Sequence, residues 1–151
     1  MKIYKLVRRR SDDKLYSYNS TESERIGLSK RRYIPNEWTE AHPKMLELGL
    51  GLAGFKTLQD AVDYDCPSYF TKRDLEIWEC ESFRIKANKA SKWLESGCFA
   101  SIKTFKKLLE DDEVGDLVPW PKGTVLVEKV KLLRRVEEHE YVNLIDPKWI
   151  K

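Results

Sequence analysis

At 151 residues, 41% hydrophobic and 35% charged, the chain has the size and apolar content of one ordinary domain under a charged skin. Its net charge is +3, and its three cysteines, Cys66, Cys80 and Cys98, are odd in number and lack CxxC spacing, which argues against a disulfide framework and a zinc site. No apolar run approaches the roughly 18 residues of a spanning helix, and Met1 to Arg8 is too interrupted for a signal peptide, so the cytoplasm is the expected location.

Lys2 to Val7 alternates imperfectly and favours a strand, Ser11-Asp12-Asp13-Lys14 is a turn composition, and Leu15 to Tyr18 resumes the strand, so the chain opens with a β-hairpin. Arg32 to Glu40 reads as an edge strand interrupted at Pro35-Asn36. Pro43 can open a short helical turn with Met45, Leu46 and Leu48. Thr57 can cap a helix from about Leu58 to Tyr64, which Pro67 ends.

Leu75 to Glu81 carries large residues on both faces, as a central strand does. Ser91 to Asp111 has helical spacing through Phe99, Ile102, Phe105, Leu108 and Leu109, after a turn containing Trp93 and Leu94. Gly115 to Lys122 reads as a loop, and Thr124 to Leu133 as a long strand. These elements predict an α+β fold: a mixed, mostly antiparallel sheet with an N-terminal hairpin, a long C-terminal strand and two or three helices on one side. The domain is expected over residues 1–136. Residues 137–151 form a tail whose apolar side chains should dock on the domain or on a neighbouring subunit.

Catalytic chemistry finds little support. Gly49-Leu50-Gly51-Leu52-Ala53-Gly54 matches GxGxxG, but no clear parallel strand precedes it, and a glycine-lined strand meeting another backbone describes it more simply. His42 and His139 have no nucleophile beside them, and Glu79 with Glu81 is one acid pair among many acids. No cofactor, metal or catalytic residue is implied.

The basic and aromatic residues carry more. Up to Arg32 there are ten Lys/Arg against four Asp/Glu, which favours an anionic partner near the first strands. Arg8, Arg10, Arg31 and Arg134 stand near predicted strand ends, with Tyr33, Phe55, Trp78 and Trp120 available to stack a base. Arginine forks hold phosphate and aromatic faces hold nucleobases. The same set suits an acidic protein surface, and a solvated face accounts for it equally. A net charge of +3 is a weak field for nucleic acid.

Three stretches resemble small phage-encoded accessory domains: Met1 to Arg8 leading into Leu15-Tyr16-Ser17, Gly51 to Ala61, and Gly123 to Leu132. The "Gly, apolar, Phe, then helix with Ala" order also resembles half of the ADP-ribosyltransferase-like fold, without a counterpart of its His-Tyr or Arg-Ser-Glu pattern. In size, charge and aromatic content the chain is similar to the anti-defence "sponges" that sequester cyclic nucleotide signals. These resemblances imply a non-enzymatic protein of the host cytoplasm that sequesters a phosphate-bearing nucleotide immune signal, as a homo-oligomer joined through its tail. The alternatives they leave are an inhibitor that binds a host protein and a degenerate ADP-ribosyltransferase-like enzyme.

Overall fold

A computed structural model describes residues 1–18, 20, 23, 25–27, 30–47, 51–69, 74–84, 92–94, 117–119 and 122–147. The opening hairpin is present as β1 (Lys2–Arg9) and β2 (Leu15–Ser17), antiparallel in the register Val7–Ser17 and Arg9–Leu15. Asp13 takes φ 63° in its turn, a left-handed conformation that Asp tolerates. The edge region divides as read, into β3 (Arg32–Tyr33) and β4 (Trp38–Glu40), with Asn36 at φ 65° between them.

A helical turn, α1 (Pro43–Glu47), precedes β5 (Leu52–Phe55), so the described part of the glycine-rich stretch is a strand. Helix α2 (Leu58–Tyr69) begins at the predicted cap, where the Asp60 backbone N–H donates to Thr57 Oγ1 at 3.1 Å. It does not stop before Pro67. That residue stands in the last turn, where the missing N–H forfeits one backbone bond and the helix ends soon after.

The long strands are β6 (Leu75–Arg84) and β9 (Thr124–Arg135). Lys92–Leu94 and Leu117–Pro119, read as a turn and part of a loop, instead pair antiparallel as β7 and β8. Their pairing partners are too far apart in sequence for a local pattern to reveal. The helix expected within Ser91 to Asp111 otherwise lies outside the described residues. After β9 come a single helical turn, α3 (Glu138–Tyr141), and a 3-10 turn, Val142–Leu144.

Every described strand pairing is antiparallel. Strand β6 pairs with β1 on one edge and β9 on the other, so it is central as read. Strand β9 pairs with β5, and β5 meets β1 at Tyr4–Phe55, which closes the circuit into a small barrel. The alternation of β1 then divides the core. Ile3 and Val7 point inward with Cys80, Val127, Val130 and Leu132. Leu6 points outward to a second cluster formed with Ala61 and Val62 of α2 and with Tyr141 and Ile145.

The architecture is therefore α+β and sheet-dominated, with α2 and α3 over one outer face. Tyr141 and Ile145 are 4% and 5% exposed in that cluster, so the start of the tail docks on its own domain. Gly54 faces the interior, where a Cβ would come 2.6 Å from Ile3 Cδ1 and 3.2 Å from the Tyr4 carbonyl. The third glycine of the GxGxxG match thus serves a close approach between two strands of the barrel. No helix among the described residues is long and apolar enough to cross a membrane.

Candidate functional site

The arginines singled out in the sequence are held by the chain's own acceptors. Arg8 and Arg10 converge on one carboxylate, each with a guanidinium nitrogen 3.2 Å from an oxygen of Asp74. Arg8 also donates to the Tyr18 carbonyl at 2.7 Å and lies over the Tyr18 ring. Arg31 donates to the Glu40 carbonyl at 3.1 Å. Arg134 binds Glu140 at 2.8 Å and Glu79 at 3.0 Å.

These four arginines have three separate sets of partners, while their neighbours Arg9 and Arg135 meet at Glu76. Guanidiniums already matched to carboxylates have less to gain from a phosphate. The protonation behaviour agrees. Glu140 and Glu79 hold Arg134 well above the ordinary arginine value. Lys2 and Arg134 keep Glu79 below the usual carboxylate range, against the opposing effect of burial. The Glu79–Glu81 pair is likewise engaged: Glu79 by Lys2 and Arg134, Glu81 by the N-terminal ammonium at 3.6 Å.

The aromatics chosen for stacking are mostly in the core. Tyr33 is 2% exposed, Phe55 is buried against Tyr64, and Trp78 points into the barrel, donating Nε1–H to Glu76 Oε1 at 3.1 Å. Trp120 lies outside the described residues. Inside the barrel Lys5 is also buried, its ammonium 2.7 Å from the Ala53 carbonyl and 5.0 Å from the centre of the Tyr33 ring. The Tyr33 hydroxyl has no hydrogen-bond partner among the described residues. Cys80 is wholly buried there, and burial pushes its thiol up to about 12, so it is no nucleophile.

A second combination of the same chemistry lies on the outer face of the barrel. Trp38 on β4 and Phe83 on β6 flank β9, 39% and 54% exposed, with ring centres 5.9 Å apart and planes at 63°. Register places Trp38 beside Lys131 and Phe83 beside Lys129. The Lys129 ammonium is 4.6 Å from the Phe83 centroid and 5.0 Å from that of Trp38, while Lys131 is 4.9 Å from Trp38. Neither lysine makes an ion pair among the described residues. Glu40 and Glu81 stand opposite Lys129 and Lys131 in the same registers and temper the positive field.

Sequence reasoning missed this face, although β6 carries a trace of it. Its outward positions run Glu79, Glu81, Phe83, and a large ring that follows two acids in the solvent-facing register has no core to enter.

No family model matches the chain, and no curated protein or solved structure matches it significantly. No relative therefore bears on the function of this face.

Proposed function

We propose that the chain is a non-catalytic binder of a phosphate-bearing nucleotide, and that Trp38, Phe83, Lys129 and Lys131 form its binding face. The observation that carries the reading is two exposed rings, set edge to face beside two lysines that make no ion pair among the described residues. A base stacked on such a ring contributes about 1–3 kcal/mol. Each ammonium can turn from a ring to a phosphate without breaking an ion pair. Nothing in the four side chains attacks or transfers a group, so the ligand is released unchanged. Together with the resemblance to phage anti-defence domains, this favours sequestration of a nucleotide immune signal as the biological use.

Thermal melting and calorimetric titration with adenine and guanine nucleotides test the reading. A ligand present at about 100 times its Kd stabilises the folded state by about 2.7 kcal/mol. Trp38→Ala should abolish much of that gain, and mass spectrometry should recover the nucleotide intact. The absence of both stabilisation and binding heat across the series would overturn the proposal; turnover would replace it with an enzyme.

A further inference from the structure

We infer that the ligand is a dinucleotide unit, two bases joined through phosphate, and not a single nucleotide; this rests on the nucleotide-binding reading above. The angle between the rings is the first reason. With the Trp38 and Phe83 planes 63° apart, one flat base can lie on either ring but not on both. Occupying both exposed faces takes two planar groups, turned relative to one another.

The register is the second reason. Trp38 is paired with Lys131 and Phe83 with Lys129, and the Lys129 ammonium also reaches Trp38, so ring and cation alternate across the face as Phe83, Lys129, Trp38 and Lys131. Lys129 and Lys131 are two residues apart on one side of β9, which spaces their backbone origins by about 7 Å. Successive phosphates of an extended strand are separated by a comparable distance. The alternation of ring and cation along the face thus fits the alternation of base and phosphate along a nucleotide chain.

The third reason is the modest field. Glu40 and Glu81 beside the lysines, and a net charge of only +3, disfavour a binder that relies on a long polyanion. Two stacked bases and one or two phosphates make a short ligand for which the rings supply much of the affinity. That chemistry occurs in a free linear dinucleotide, in a cyclic dinucleotide and within a single strand.

Titration calorimetry of the full chain with 5′-AMP, the linear dinucleotide pApA, cyclic di-AMP and an oligoadenylate of eight nucleotides tests the inference. At least one two-base ligand should bind tenfold or more tighter than 5′-AMP. Trp38→Ala and Phe83→Ala should each weaken it about fivefold or more. Both rings are exposed, and melting curves should confirm that the variants fold. Lys129→Gln or Lys131→Gln should lower the salt dependence of binding by about one phosphate contact.

If the linear form is preferred over the cyclic one, and the oligomer gains only in proportion to its number of sites, the source is a linear dinucleotide. Preference for the cyclic form assigns a cyclic signal, and a disproportionate gain with the oligomer assigns single-stranded nucleic acid. Equal binding of 5′-AMP and all two-base ligands, or a loss confined to one aromatic variant, would overturn the dinucleotide inference and leave nucleotide binding standing. Binding by none of them would remove both.

Discussion

Arg9 lays its guanidinium on the carboxylate of Glu76 at one end of the barrel, Nε to Oε2 at 2.6 Å and Nη2 to Oε1 at 3.1 Å. The carboxylate is 4% exposed, receives Trp78 Nε1–H as well, and has Arg135 3.7 Å away. Burial alone would raise this acid. The donors from Arg9 and Trp78, with the charges of Arg135 and Arg9, outweigh it and hold Glu76 below the ordinary value.

A depressed carboxyl stabilises the fold above its unfolded pKa of about 4.3, and that contribution is lost as pH falls through the folded value. The protein should therefore lose stability on acidification below about pH 5. Glu76→Gln should cost about 2–3 kcal/mol at neutral pH, because it leaves two arginines and an indole donor poorly matched. Urea midpoints from pH 7 down to pH 3 should fall less steeply in the variant. Glu79, Glu140 and Asp12 are also depressed, so the slope should flatten without vanishing.

Gly54 should resist even the smallest substitution. Gly54→Ala drives a methyl against Ile3 Cδ1 and the Tyr4 carbonyl, and overpacking of this kind costs about 1–3 kcal/mol. Ile3→Val removes Cδ1, so the double variant should be more stable than the sum of the two single changes predicts. Denaturant titration of the four proteins measures this coupling. Nucleotide affinity should not change with Gly54, since the glycine serves packing.

Cys80 should be silent to thiol reagents while the protein is folded. In a Cys66→Ser, Cys98→Ser background, an aromatic disulfide at pH 8 should release no chromophore from native protein and one equivalent after denaturation. The thiol is wholly buried, donates to the Trp78 carbonyl at 3.3 Å, and is pushed up to about 12 by burial.

Tyr33→Phe should be neutral or stabilising by up to about 1 kcal/mol, because the hydroxyl it removes is buried without a hydrogen-bond partner among the described residues. A thermal melt decides it. Glu40→Gln should raise nucleotide affinity a few-fold at low salt and less at physiological salt, where charges beyond about 8 Å are screened. Its carboxylate stands opposite Lys129 and lies on no path to the core.

Elements whose cause is local could be read from the chain. The opening hairpin rests on alternation and an Asp-rich turn, the start of α2 on Thr57, and the length of β9 on Val125, Val127 and Val130. Closure of the barrel could not be read, because it depends on Tyr4 meeting Phe55 and on a glycine that only a neighbouring strand explains. The β7–β8 pair was hidden for the same reason, each strand being three residues long with its partner far along the chain.

For the site, residue type was informative and placement was not. Trp78 and Phe83 lie on one strand but opposite faces, so one fills the barrel and the other meets solvent. That parity is fixed by β1 and β9, not by β6 itself. Some of the arginines' acceptors could not be read for a related reason: Asp74, Glu76 and Glu79 stand more than fifty residues from Arg8, Arg9 and Arg134 along the chain.

The position of β6 between β1 and β9 also bears on how the protein is made. Lys5 faces Trp78, which in turn faces Arg135, so β1 leaves the ribosome some seventy residues ahead of its main partner. At about ten residues per second that is a wait of several seconds, and β9 extends it by several more. Until then β1 has only its short pairings with β2 and, at Tyr4–Phe55, with β5, and its other edge remains open. Nascent chains halted before Thr124 should accordingly associate with holdase chaperones, and full-length chains should not.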